Sequence, residues 1–217
     1  MMNVLSFDTS LPYLTVALST EKGVFNFVAR SFVKHAANLL PTIDYALRHL
    51  RLEVSEVELL VVGVGPGSFT GIRVGVATAK GLMAGLGLPA VAVTSTELLA
   101  ANVPDRTAAV CIPARKGHVY FAVYNNGKPV MEPKFVELGY VKTQLDAGKF
   151  EGYILVGEGW KEITSKKLPS SFDKPDGFRL LELGVEKFNR GEVIKAPREL
   201  LPFYVERPIA ELKFASS

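Results

Sequence analysis

Hydrophobic and polar positions along this chain alternate between a period of two and a period near 3.6, and the switches mark out two similar stretches. Over residues 3–32 the pattern predicts three strands. NVLSFD is short and apolar, YLTVALST alternates, and GVFNFVARSF alternates again after Glu21, Lys22 and Gly23. From His35 to Leu50, the residues Leu39, Leu40, Ile43, Leu47 and Leu50 form a helical stripe. Pro41 lies inside it and lacks an amide proton, which predicts a kink or a start nearer Pro41. ELLVVGV and LPAVAV read as strands, and Ser95, with Thr96 and Glu97, as the cap of a further helix. The second stretch repeats the plan. RTAAVCIP, HVYFAVYN and KPVMEPKFVEL are strands, with Asn126-Gly127 as a hairpin turn. A helix near 139–147, the strand GYILVG and the amphipathic helix FRLLELGVEKFNRG, ending at Gly191, complete it. Two β-β-β-α units in tandem, the first continued by β-α-β, predict an α/β protein of two duplicated half-domains with mixed sheets. The break falls near Val103–Arg106, giving units of 1–104 and 105–217.

Between a strand and a helix of the first unit lies GVGPGSFTGIRVGVATAKGLMAGLG, Gly63 to Gly87. It departs from the phosphate-loop pattern, because Gly65 leads to Thr70 with no lysine after it. It also departs from the dinucleotide pattern, because Ser68 stands where a third glycine is needed. The strand-loop-helix context suits an anion at the helix N-terminus, and equally suits Ser68 and Thr70 as caps of that helix. Gly75, Gly81 and Gly85 sit inside the helix, each costing roughly 0.8–1 kcal/mol relative to alanine. Gly71, Gly75 and Ala79 follow at i, i+4, i+8 and flatten one side, while Gly67 and Gly71 allow unusual backbone angles in the loop. Close packing on the chain's own sheet and contact with a helix of another chain both account for the flat side. The second is the preferred expectation, since the stripe on 39–50 offers a neighbouring apolar helix.

Composition narrows the class. With 217 residues, 48% hydrophobic and 22% charged, the chain is a globular protein rather than a disordered one. No apolar run reaches the ~20 residues of a membrane helix, and MMNVLSFDTS has no basic leader, so the expected location is the cytoplasm. The single Cys111, in AAVCIP, cannot form an intrachain disulfide and reads as a buried thiol. Net charge is +3 without a basic tract; even the densest cluster, KEITSKK, includes a glutamate. Tight, direct nucleic-acid binding is therefore not indicated.

GPGSFTGIRVGVATAKGL, with HAANLLPTIDYAL upstream, FDTS at the N-terminus, ARKGHVYFAVY and the late PFYVERPIA, resembles the TsaB (YeaZ) branch of the bacterial glycoprotease-like family. The resemblance covers most of the chain. It implies the actin-like ATPase (ASKHA) fold, in agreement with the duplicated pattern. It also implies a place in making threonylcarbamoyladenosine on tRNA, as the non-catalytic dimerisation partner of the larger TsaD-type paralogue, with a small TsaE-type ATPase joining them. ATP then belongs to the complex rather than to this chain, tRNA is met only indirectly, and no membrane is involved.

Fold relatives hold ATP between two phosphate hairpins, here Asp8-Thr9-Ser10 and Pro113-Ala114-Arg115-Lys116-Gly117. Asp8, Thr9 and Ser10 are thus a candidate vestigial phosphate site, or simply a turn between strands. Pro113 stands where the family often has aspartate, which speaks against hydrolysis. The tail reads Tyr204-Val205-Glu206-Arg207 where the family often has tyrosine-leucine-arginine. The three histidines, His35, His49 and His118, have no H-x-x-x-H spacing, so no metal site is expected. The expected partner face takes His35, Leu39, Leu40, Ile43 and Leu47 from the first helix. From the second it takes Gly67, Ser68, Phe69, Thr70, Gly71 and Arg73, then Gly75, Val76, Ala79 and Met83. The same helices could pair two copies as a homodimer. The competing readings are a stand-alone ATP-dependent enzyme or peptidase, for which no nucleophile-histidine pair has local support, and a tRNA-binding module.

Overall fold

A computed structural model describes residues 2–30, 35–115, 117–164 and 170–206. The first three strands, β1 (Val4–Asp8), β2 (Tyr13–Thr20) and β3 (Gly23–Arg30), form an antiparallel meander, and α1 (His35–His49) follows. Pro41 does not delay α1, which runs unbroken from His35 through it. β4 (Leu59–Gly63), α2 (Phe69–Leu86), β5 (Ala90–Val93) and α3 (Ser95–Ala100) complete the first part. β4 and β5 add to β1 in parallel, giving a five-stranded mixed sheet in the order β3-β2-β1-β4-β5. The cap of α3 lies one residue earlier than expected. Thr94 accepts the Glu97 amide, and the Glu97 carboxylate accepts the Thr94 amide in return.

β6 (Thr107–Pro113), β7 (His118–Asn125), β8 (Lys128–Glu137), α4 (Leu138–Asp146) and β9 (Ile154–Val156) repeat the opening. They form a second mixed sheet, β8-β7-β6-β9. The β7–β8 turn is Asn126-Gly127, with both residues at positive φ (48° and 71°), the geometry that suits the twist of a tight hairpin. α5 (Gly177–Asn189), capped by Asp176, ends the repeat, and Gly191 at φ 83° turns the chain away after it.

The expected unit of 105–217 does not stay together. α5 packs on the first sheet, where Leu180 and Leu181 join Val4, Ala17, Leu59, Val61, Val91 and Val93 in one core. The reason is local: Gly184 and Gly177 leave room for Val61 and Ala17, so the helix lies directly on the strands. Beyond α5, Ile194 pairs with Ala90 and Leu200 enters the core beneath α1 and α2. A further core joins the halves, with Leu11, Tyr13, Leu99 and Val103 against Val110, Ile112, Tyr120 and Tyr124.

Candidate functional site

The two hairpin turns, after β1 and after β6, face each other across a cleft of about 560 Å³. Ser10, Leu11 and Pro12 line one side, and Pro113, Ala114 and Arg115 the other. Lys116 of the second turn lies outside the described residues.

The first turn is filled by its own chain. Asp8 and Thr9 are fully buried. The Asp8 carboxylate accepts the Ser10 amide at 2.9 Å and the Ser10 hydroxyl at 2.8–2.9 Å, and it occupies the space that a side chain at Gly63 would take. Burial pushes the Asp8 carboxyl above its ordinary value, against the bonds from Ser10 and Leu11. Ser10 also shares a hydrogen bond of 2.5 Å with Ser95, and its carbonyl accepts the Ser68 amide at 2.7 Å. Thr9 donates to the Gly71 carbonyl at 2.7 Å, and its side chain fills the space beside Gly75. A Cβ on Gly67 would overlap the Ser10 carbonyl, and one on Gly71 the Thr9 carbonyl.

Two expectations are corrected by this geometry. As a phosphate site, Asp8 and Thr9 face the α2 loop rather than the cleft, and only Ser10 borders it. As a docking stripe, Gly71, Gly75 and Ala79 face inward, with Gly67 against Ser10 and with Val76 and Met83 in the core. The flat side of α2 lets Thr9 and the first turn approach; it is not open to another helix. Leu39, Ile43 and Leu47 of α1 are buried in the same core. The N-cap of α2 is Ser68, which accepts the Gly71 amide at 3.2 Å, while Thr70 lies within the helix.

What α1 and α2 leave outward is a shorter list. Leu40 is exposed on α1, and Ser68, Phe69, Thr70 and Arg73 are exposed at the start of α2. The side chain of His35 lies outside the described residues. Arg73 lies 3.7 Å over the Phe69 ring and donates to the Tyr204 hydroxyl at 3.2 Å, so the tail is tied across the helix start. Further along, Ala77, Gly81, Ala84 and Gly85 form an exposed row that the sequence reading did not single out. A Cβ at Gly81 or Gly85 would meet nothing within 4 Å, so among the described residues neither glycine answers to a contact inside the chain.

The second turn closes through backbone bonds from Ala114 to His118 and from His118 to Arg115, and charge holds its outer side. Arg115 pairs with Glu206 at 3.2 Å, and Tyr120 donates to Glu206 at 3.3 Å. Burial, with the Glu206 carboxylate beside it, pushes the Tyr120 hydroxyl up to about 12. At the far end of the cleft Glu158 receives Arg30 through two bonds of 2.7 and 3.2 Å and Lys161 at 2.9 Å. Burial pushes the Glu158 carboxyl up, but Lys161 and Arg30 together outweigh it and hold the group below its ordinary value. Cys111 is buried, and burial, with Glu162, pushes its thiol up, away from nucleophile chemistry. Among the described residues no cluster of three or more metal-ligating side chains occurs, and no helix is long and apolar enough to cross a membrane.

Comparison with known proteins places this geometry. Residues 28–168 match the family described as "TsaD: tRNA N6-adenosine threonylcarbamoyltransferase". The chain is 28% identical to the tRNA threonylcarbamoyladenosine biosynthesis protein TsaB of Escherichia coli (strain K12), with 96% of each protein covered. It is 34% identical to the TsaB protein of Bacillus subtilis (strain 168), over 60% of this chain and 58% of that one. The solved structure of YeaZ from Pseudomonas aeruginosa superposes with a TM-score of 0.81 at 28% identity, covering 94% of this chain and 100% of that one. The two mixed sheets are thus those of the TsaD-related, actin-like ATPase type of fold.

Proposed function

The chain belongs to the TsaD family, and we propose that it acts in threonylcarbamoyladenosine formation as a non-catalytic scaffold subunit. Its partner is a TsaD-type catalytic paralogue, held against the outward faces of α1 and α2. A TsaE-type ATPase joins at the surface the pair builds, ATP acts at the level of that assembly, and tRNA meets this chain only through it. The whole-length likeness to proteins named TsaB and YeaZ supports the pathway.

The observation that carries the scaffold role is the outward row on α2. Two helix-interior glycines, Gly81 and Gly85, cost roughly 0.8–1 kcal/mol each relative to alanine, and a Cβ on either would meet nothing among the described residues. With Ala77 and Ala84 they give a side on which a partner helix can approach closely and gain dispersion contacts. Leu40 on the neighbouring α1 and Phe69 and Arg73 at the start of α2 extend that side with larger groups. The sealed first turn and the proline at position 113 support the absence of catalysis by this chain.

The test is co-elution with the TsaD-type paralogue. Gly81→Leu and Gly85→Leu fill open space and remove helix-interior glycines, so the isolated chain stays folded. The complex is expected to be lost. Unchanged co-elution of both variants would sink the proposal, and sustained ATP turnover by the purified wild-type chain alone would replace it with the enzyme reading.

A further inference from the structure

After α5 the chain returns through the first half and reaches the mouth of the cleft, and its hold on the molecule changes along the way. Leu200 is fully buried in the core beneath α1 and α2. The Phe203 amide donates to the Val64 carbonyl at 2.8 Å, and the Phe203 carbonyl lies 3.1 Å from where a Cβ on Gly65 would stand. Up to Phe203, then, the segment is part of the first half.

Past Phe203 the contacts are made by side chains, and they go to both halves. Tyr204 packs on Phe69 at the start of α2, with ring centres 5.1 Å apart, and accepts from Arg73 at 3.2 Å. Val205 leans on the core that joins the halves. Glu206 reaches the second half, where it meets Arg115 at 3.2 Å and Tyr120 at 3.3 Å. Phe69, Arg115, Tyr120 and Glu206 all line the cleft. Three residues thus cross from the start of α2 to the second turn. Two residues of extended chain span at most about 7 Å, so a displacement of Tyr204 is felt at Glu206.

The far contact is incomplete. Glu206 Oε2 is buried and has no hydrogen-bond partner among the described residues, although Arg115 Nε stands 3.2 Å away. A carboxylate oxygen buried without a hydrogen bond is costly, and release into water restores its partners. Arg115 is nearly half exposed, and ion pairs of that kind hold weakly. The near contact is replaceable too. Arg73 gives its Nε to a neutral phenol, whereas a carboxylate takes a guanidinium through two stronger bonds. Phe69 and Arg73 are exposed, so such a group can reach them from outside.

We propose that Tyr204, Val205 and Glu206 form a latch that couples the start of α2 to the cleft. In the free chain Arg73 holds Tyr204, and Glu206 closes over the second turn. An acidic side chain of the docked partner takes Arg73, Tyr204 lifts, Glu206 leaves Arg115 and Tyr120, and the mouth of the cleft opens. The trigger rests on the docking proposed above. The coupling from Arg73 to Tyr120 lies within this chain and does not.

Carbon-13 NMR of the full chain, labelled at the tyrosine Cζ, tests both parts, with the Tyr120 signal identified through Tyr120→Phe. That carbon bears the hydroxyl that donates to Glu206, so Glu206→Ala defines its released position. Arg73→Ala removes a side chain at the opposite end and is expected to move the Tyr120 signal most of the way there. Tyr204→Phe removes only the hydroxyl that Arg73 reaches and keeps the ring on Phe69, so a smaller shift in the same direction is expected. Coupling is reciprocal, and Glu206→Ala should in turn move the Tyr204 signal. A Tyr120 signal unmoved by Arg73→Ala and Tyr204→Phe overturns the latch. So does a Tyr120 or Tyr204 signal that Glu206→Ala leaves in place. Addition of the TsaD-type paralogue to the wild-type chain is expected to bring Tyr120 to the released position. A complex that forms with Tyr120 unmoved overturns the trigger. A paralogue that does not bind counts against the docking reading, and the latch then stands or falls on the variants alone.

Discussion

The turn after β1 and the turn after β6 hold matching places in the two halves, but they are secured by different physics. The first is sealed: Asp8 and Thr9 are fully buried, and the start of α2 is seated on Thr9 and Ser10 through Gly67, Gly71 and Gly75. The second faces the cleft and is held by Arg115, Tyr120 and Glu206, all partly solvated except the tyrosine ring. Packing against backbone leaves no slack, whereas ion pairs across a cleft can be remade with water. A duplicated fold has thus kept one turn as a structural rivet and left the other as surface.

Gly71→Ala should break the sealed turn most severely. The added methyl overlaps the Thr9 carbonyl, which is backbone and cannot swing aside. Overpacking of this kind costs about 3 kcal/mol or more, against which a gain of roughly 1 kcal/mol in helix propensity is small. The same change at Gly81, ten residues along the same helix, meets open space and should stabilise by about 1 kcal/mol. Urea unfolding of the two variants measures both. Equal effects would remove the distinction between the inward and outward glycines of α2.

Most of the fold is legible in the sequence, because its signals are local. Alternation defines β7 at His118–Asn125 and Asn126-Gly127 fixes the hairpin after it, with no help from distant residues. The direction of the small-residue side of α2 is legible in principle as well. Ile72, Val76 and Met83 mark the core side, and Gly71, Gly75 and Ala79 share it, while Ala77, Gly81 and Gly85 lie opposite. Spacing alone gives a stripe; only its phase against the large apolar residues says which way it faces. The return of α5 to the first sheet has no such local mark. It depends on Gly184 meeting Val61 and Gly177 meeting Ala17, contacts spanning more than a hundred residues. The pairs Arg30–Glu158 and Arg115–Glu206 are also remote in sequence, so the charges that frame the cleft could not be matched beforehand.

Thr9→Val gives a smaller, cleaner probe of the sealed turn. The shape is kept, and the buried bond from Thr9 to the Gly71 carbonyl at 2.7 Å is lost. A loss of about 1 kcal/mol in unfolding free energy is expected, the net worth of one such bond. A neutral result would mean that the glycine notches alone hold the turn.

The smallest effect separates the two regions by sign. The Asp8 carboxyl has its pKa raised by burial, so the folded protein takes up that proton first, and this group stabilises the fold as pH falls through the window above 3.8. Glu158 behaves oppositely: although burial alone would raise it, Lys161 and Arg30 leave it below the ordinary 4.5. Its contribution is complete above the unfolded value and is lost as pH falls through the lower folded one. Glu158→Gln should therefore lower Tm near pH 7 by at most about 2–4 °C, and the gap from wild type should close as the pH drops below the ordinary carboxyl range. With Glu158 removed, the contribution that acid would take away is already absent, so the variant loses less Tm on acidification than wild type. Thermal melts of both proteins from pH 7 to pH 3 decide it. Parallel curves would show that the Arg30–Glu158–Lys161 cluster contributes nothing to holding the halves together, and the cleft would then be closed by the shared apolar core alone.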